Sequence, residues 1–512
     1  MVNFYKLLLI ITVIGCSKKT NDARKIDAPL IIGVENSPKN LDPVTALDAA
    51  SWRMTYLYTQ ALVDVGSDLL PYPELAKSYQ VKSNGKVYII RLRENAVFHN
   101  GKKITAEDVK YSFSLYASEK SPFKNAFNKI KLEVINDLTI QLTLPEIKSD
   151  FLTGDLPVVR ILPKDVAQDF SGATEGGIIG SGPLVFQKIS GRDVYFTDFK
   201  NFENNSSLQK NSNYSSVVVR TINDPSTRYF SLLKGEVDVL FNSLPLDKVF
   251  EIQKTKKANV YNQPGIGYQY LAFSFKQDKL KQQVLRNALS LAINRDEIIK
   301  YKLKGLATKS FSLLSSVHYY YNRELSNLSD YNPEKAKKLV ASLNLPADFA
   351  VEIKTSSDPT SNAILRIIKD QWSKVGIKAN IKSAEFATFF ADIKKGAFEV
   401  ASLRWPSVPG PELFYDIFHS SNVPPGKNRG FYKNEKIDVL LSSARKLTDK
   451  VARKKIYDQV QEIIVEEKPY ISLWHPNNIV VTSKEIKNLK INALGRWNPV
   501  IFTENTRNLP SN

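Results

Sequence analysis

The sequence predicts an α/β protein assembled from several lobes, and three features predict it. The chain runs to 512 residues, more than one ordinary core serves at roughly 100–200 residues per domain. Segments of helical pattern run through a Gly straight into apolar strands: "YFSLLKGEVDVLF" and "FFADIKKGAFEVASL" share a Lys-Gly junction, and "QWSKVGIKANI" uses Val-Gly. Each Gly falls where a helix C-terminus needs a left-handed residue, and such alternation belongs to mixed α/β architecture. These are local likenesses and not a tandem repeat. The hydrophobic share of 43% beside 24% charged residues is that of a chain that folds into cores.

The amino terminus is read as an export signal. "MVNFYKLLLIITVIGCSKKT" has Lys6 in a short leading region and an apolar run from Leu7 to Ile14, far below the ~20 residues that span a bilayer. The run ends at Val13-Ile14-Gly15-Cys16, a pattern that resembles the bacterial lipobox, in which the thiol receives a diacylglyceryl group. Cys16 is also the one cysteine of the chain. Its position leaves a buried free thiol a poor account, so residues 1–15 are expected to be a lipoprotein signal and Cys16 a lipidation site. Residues 16–28 then form a polar tether, and the mature protein is stabilised without disulfides or thiolate metal sites.

Further along, "LIIGVEN" predicts a strand and "SPKNLDP" a turn. In "KVYIIRLR", Val87, Ile89 and Arg91 alternate with Tyr88, Ile90 and Leu92, as in a largely buried strand. "GKKITAEDVKYSFSLYAS" begins a helix with Thr105 as N-cap, Asp108 as the capping-box acid, and Val109, Phe113 and Tyr116 on one face. Residues 278–346 read as a series of helices, with Asn294 and Glu297 as one start signal and Asn332-Pro333 as another. A long amphipathic helix covers "TDKVARKKIYDQVQEIIVEE", and "KPYISLWHPNNIVVTS" returns as strand.

The formal charge of +19 arises from 71 basic and 52 acidic residues, but the lysines are scattered and no RNA-binding motif accompanies them. The charge therefore reads as solvated surface and no nucleic-acid partner is expected. The four histidines, His99, His318, His419 and His475, stand far apart and lack metal-ligand spacing. No Gly-x-Ser-x-Gly elbow, phosphate loop or Gly-x-Gly-x-x-Gly is present, and "GSG" at Gly180 to Gly182 reads as a tight turn before "PLVFQKI". His99, in "FHNGKK", is expected to orient its turn and not to move protons. No enzyme, cofactor or metal is predicted.

The run "LLPYPELAKSYQVKSNGKVYIIRLRENAVFHNGKKITAEDVKYSF", Leu69 to Phe113, resembles the signature of the extracytoplasmic solute-binding proteins of peptide and nickel type ABC importers, the dipeptide- and oligopeptide-binding family. "NLDP", "GSGPLVF", "LLKGEVDV", "LRNALSLAINRDEII", "YNPEKAKKLV", "WSKVGI" and "YKNEKIDVLLSSARKLTD" follow in that family's order. The resemblance implies a periplasmic-binding-protein-like fold of type II in its large cluster C form: two lobes, an extra domain inserted in the first, and a hinge of two crossing strands. A first lobe of residues 26–48, 180–262 and 477–512, an inserted domain of 49–179 and a second lobe of 263–476 are expected, with "GYQYLAFSF" and "ISLWHPNNIVV" crossing between lobes.

The implied function is capture of a peptide or peptide-like solute by a monomer, anchored to the periplasmic or cell-surface side of a membrane through Cys16, and its delivery to permease subunits. The same fold serves ligand sensing, peptide chaperoning and binding of other solutes. "SLRWPSVPGP", Ser402 to Pro411, carries the family's cleft segment. A Trp in a Pro-rich turn closes a core or walls a cleft; with the resemblance, Trp405 is expected to be a cleft wall. Where the family's peptide binders place an ammonium-pairing aspartate, this chain has Val408. Asp48 is either a replacement acid or an ordinary surface or cap carboxylate, and Arg404 either a contact for an acidic ligand or a solvated or stacked side chain. Tyr270 and Asn428 complete the expected ligand-contacting set.

Overall fold

The computed structural model describes residues 28–206, 211–328, 331–491 and 493–503. The signal, Cys16 and nearly all of the tether lie outside the described residues.

One strand organises the main sheet. Tyr470–Thr482 is 13 residues long, and its two halves take different partners. Tyr470 to Trp474 pair antiparallel with Tyr268–Phe273, while Asn477 to Thr482 pair with Asn259–Pro264 and Val480 to Thr482 with Val239–Phe241. Because the chain crosses once at Gly265 to Gly267 and again within this strand, two segments among the described residues join the two halves of a 12-stranded sheet. His475 ties those segments together: its Nδ1 donates to the Gly267 carbonyl at 2.6 Å and its Nε2 meets the Ser310 hydroxyl at 2.8 Å.

On the first side, Leu30–Val34 runs parallel between Ser216–Thr221 and Val239–Phe241, with one core on each face. The helix Ala49–Tyr58 joins this side, burying Met54, Leu57 and Tyr58 against Leu30 and Ile32. On the second side, Ala350–Ser356 runs parallel between Lys378–Ala384 and Val400–Trp405, again with a core on each face. A separate antiparallel sheet contains Ala76–Lys82, Val87–Leu92, Lys131–Asn136 and Thr139–Thr143. It buries Tyr88, Ile90 and Leu92 under Val109 and Phe113 of the helix Ala106–Tyr116.

The local signals act as their chemistry requires. Asp108 accepts the Thr105 N–H at 2.9 Å, Asn332 accepts the Lys335 N–H at 2.8 Å, and the helices Pro225–Leu233, Pro359–Ser373 and Phe386–Lys395 are each followed by a Gly of positive φ, Gly235, Gly376 and Gly396. The Gly180-Ser181-Gly182 turn has a tertiary reason as well. A Cβ at Gly180 would lie 1.8 Å from the Tyr58 carbonyl oxygen, and one at Gly182 would lie 2.5 Å from the Tyr58 carbonyl carbon. His99 holds this turn, not its own: Nδ1 accepts the Gly180 N–H at 3.2 Å and Nε2 donates to the Gly182 carbonyl at 3.0 Å.

His318 and His475 are buried and His99 is half-buried; all three are bonded largely to backbone, and desolvation presses the pKa of each down to about 4. An unfolded His titrates near 6.5, so folding keeps these rings neutral: their contribution is fully present above about 6.5 and is lost as pH falls toward 4. Urea unfolding should show stability declining across that window, and ring-proton NMR should find three histidines still neutral at about pH 5. Three ring titrations near 6.5 would contradict this burial.

Candidate ligand cleft

The cleft begins at an unfinished sheet edge. Val400–Trp405 pairs with Tyr268–Phe273 along its whole length, but on its other side Ala350–Ser356 pairs only with Val400 and Ala401. Ser402, Leu403, Arg404 and Trp405 all line a cavity of about 1020 Å³. Alternate residues of a strand point to opposite faces, so four consecutive lining residues mean that the cavity meets the strand at its edge. Asn242, Asn478 and Ile479 close the cavity from the first side of the sheet, and Trp52 and Arg53 from the helix Ala49–Tyr58.

That helix is fixed one turn beyond its cleft residues by buried charge. The Tyr56 ring lies between two guanidiniums, with Arg160 at 3.5 Å and Arg496 at 4.1 Å from its centroid. Arg496 is paired with Asp64 at 2.5 Å, both nearly inaccessible to water. The Trp52 ring packs edge-on against Tyr56, centroids 4.6 Å apart. Breaking a buried pair of this kind costs about 3–5 kcal/mol, so Trp52 and Arg53 are presented by a rigid element.

The lining is aromatic and basic. Phe386, Phe390, Trp405 and Trp474 supply apolar wall, and Arg53, Arg404 and Arg429 supply cations. The Arg429 guanidinium lies 4.8 Å from the Phe390 ring and 5.5 Å from the Trp405 ring. Asp358 is the acid of the lining, and it caps its own helix by accepting the Ser361 N–H at 2.7 Å. The Trp405 Nε1 is buried without a hydrogen-bond partner among the described residues.

The sequence profile of bacterial extracellular solute-binding proteins, family 5 Middle, matches residues 71–424, well over half of the chain. The chain belongs to that family. The probable D,D-dipeptide-binding periplasmic protein DdpA of Escherichia coli is 26% identical over 484 residues, covering 91% of this chain and 92% of its own. Heme-binding protein A of Haemophilus influenzae is 26% identical over 452 residues, 81% of each chain. Among solved structures, HbpA2 from Haemophilus parasuis superposes with a TM-score of 0.81 at 25% identity, covering 91% of this chain and 98% of that one. The unliganded open form of the murein tripeptide-binding protein MppA gives a TM-score of 0.82 at 18% identity, covering 94% and 98%. The type II binding-protein fold expected from the resemblance is the fold of these relatives.

The six expected contact residues of this family 5 protein divide evenly. Trp405, Arg404 and Tyr270 line the cavity, Tyr270 from within a stack between Tyr268 and Tyr470 at 5.0 and 4.6 Å. Val408, Asp48 and Asn428 lie outside the lining. Val408 is 1% exposed in the second-side core, and its N–H donates to the Ile266 carbonyl at 2.8 Å. Asp48 is the N-cap of Ala49–Tyr58, accepting the Ser51 N–H at 3.0 Å. Burial alone would raise its pKa, but hydrogen bonds from Ser51, Ala50 and Lys39 together outweigh that and hold it below the ordinary value. The buried Asn428 donates to the His419 and Tyr432 carbonyls and accepts the Tyr432 N–H, so it shapes the turn that carries Arg429. Arg53, Arg429, Trp52 and Trp474 join the site without having been singled out in sequence, since each is brought in by a segment remote from "SLRWPSVPGP".

Three substitutions separate these roles. Asp48→Ala should cost about 1 kcal/mol of stability, as lost caps do, and leave solute affinity unchanged. Trp405→Ala should cost about 1–3 kcal/mol of binding with a smaller effect on unfolding. Val408→Asp would bury an unpaired carboxylate and should lower the unfolding midpoint instead of retuning the ligand. Calorimetric titration beside urea unfolding checks all three, and a Val408→Asp protein of unchanged stability would contradict the burial.

Proposed function

We propose that this protein captures a peptide-like solute in the cleft between its two sides, by closing over it, and hands it unaltered to an ABC importer. The observation that carries the reading is the open edge of Val400–Trp405, four consecutive residues of which face the cavity. An extended backbone satisfies such an edge by adding as a further strand, and aromatic walls then take its side chains. The two-segment connection supports closure, because a hinge needs few crossings. Ligand that touches both sides binds the closed form better and draws the population toward it. The named relatives include dipeptide-binding and heme-binding proteins, which is in keeping with a fold whose ligand is set by the lining and not by the scaffold.

Binding without chemistry is supported by the place of three histidines: His99, His318 and His475 are engaged in hydrogen bonds to backbone carbonyls and none of them is among the residues lining the cavity. We further propose that lipidated Cys16 holds the protein at the outer face of a membrane, by way of the polar tether. No helix among the described residues is long and apolar enough to cross a membrane, and two or more acyl chains would give stable attachment where one is marginal.

Native mass spectrometry of protein purified without unfolding should find one non-covalent solute per chain, released with its mass unchanged after incubation. A released solute shorter by hydrolysis would contradict capture without chemistry. In the same cells, Cys16→Ser should move the protein from the membrane to the soluble fraction. Retention on membranes after carbonate and high-salt washing would refute the anchor.

A further inference from the structure

The cleft is unbalanced in charge, and the imbalance is distributed over both walls. Arg53 stands on the helix Ala49–Tyr58 of the first side, and Arg404 and Arg429 stand on the second. None of the three forms an ion pair among the described residues. Glu35, on the first side, acts on Arg53 only at a distance, and Asp358, the acid of the lining, is engaged as a helix cap. Arg429 is held over the Phe390 and Trp405 rings, a contact that orients a guanidinium and leaves its in-plane N–H donors free to reach an oxyanion. Arg404 follows Leu403 on the open strand edge and is exposed to the cavity.

We propose that the captured solute is an anion, whose carboxylate- or phosphate-type oxygens are received by Arg404 and Arg429 on one wall and Arg53 on the other, and that neutralising these cations is what makes the closed cleft favourable. The proposal rests on the solute-capture reading given above and adds the charge of the solute to it. Closing the cleft empty brings guanidiniums of both walls toward one another in a space that is losing water, where like charges repel more strongly. An anion placed between them reverses the sign of that interaction, so the differential affinity for the closed form that any closure needs comes from the solute's charge. Partial desolvation lowers the pKa of Arg404 and no acid opposes that effect, as expected of a guanidinium that keeps an exposed face toward the cavity and has gained no counter-ion. Aromatic walls beside the cations suit an anion attached to an apolar or planar body, such as an acidic peptide.

The test uses the full chain extracted in detergent and freed of solute by dialysis. It is mixed with an equimolar library of acidic, neutral and basic synthetic tetrapeptides, and retained members are identified by mass spectrometry. In parallel, citrate, pyrophosphate and glutathione are tested for a rise in Tm. Retention of acidic tetrapeptides, with Arg404→Gln and Arg429→Gln each weakening them tenfold or more and Arg404→Lys keeping most of the affinity, is the expected result. Retention of neutral or basic tetrapeptides over acidic ones would overturn the anion proposal and leave peptide capture standing. A rise in Tm with the small anions alone, lost in Arg404→Gln, would uphold the anion and overturn the peptide. Neither binding nor a rise in Tm would overturn both.

Discussion

The strand Tyr470–Thr482 is the constraint on which the rest of the molecule depends. A continuous strand cannot pair with both sides of the sheet unless the partner chain breaks its own pairing, which it does at Gly265 to Gly267 between Asn259–Pro264 and Tyr268–Phe273. A Cβ at Gly265 would stand 2.6 Å from the Pro476 carbonyl oxygen, so the two crossing segments approach as closely as backbones allow. His475 secures them at that point. From this arrangement follow two cores on each side, a narrow connection, and a cleft whose walls belong to different parts of the chain.

The cleft in turn depends on elements that look structural. Tyr56 does not face the solute site, yet its ring between Arg160 and Arg496 fixes the helix that presents Trp52 and Arg53. Asn428 ties down the turn before Arg429, and His318, bonded to the Pro409 carbonyl at 3.1 Å, does the same for the loop beyond Trp405. The hydrogen bonds of Asn428 and His318 specify one geometry, since leaving such buried groups unpaired is costly. The second side also meets the four-stranded domain through Glu412, which is paired with Arg453 at 2.5 Å and accepts the Ser149 hydroxyl at 2.8 Å.

What the sequence revealed is what neighbouring residues decide. The capping carboxylate of Asp108, the cap at Asn332 and the left-handed glycines after three helices are all settled within a few residues, and the order of family-like segments made the fold legible. Trp405 and Arg404 reach the cavity from a strand end and a Pro-rich turn that are written in one stretch. Val408 lies in the second-side core, packed by remote segments and held by a backbone bond to Ile266, which its own surroundings do not announce. For Asp48 the sequence left a cap carboxylate and a cleft acid both open, and the structure places it as the cap of Ala49–Tyr58, as Asp-Ala-Ala-Ser allows. Arg53 and Arg429 carry no signature in their own surroundings, and only the meeting of remote segments at one cavity gives them a role.

The central claim is that solute binding closes one side of the molecule on the other. It is tested most directly by pulsed electron-electron dipolar spectroscopy on spin labels placed at Phe230→Cys and Val439→Cys, exposed positions on opposite sides of the sheet's hinge. The account predicts a broad distance distribution for solute-free protein that shifts and narrows once solute is added to saturation. The same broad distribution with and without demonstrably bound solute would contradict it.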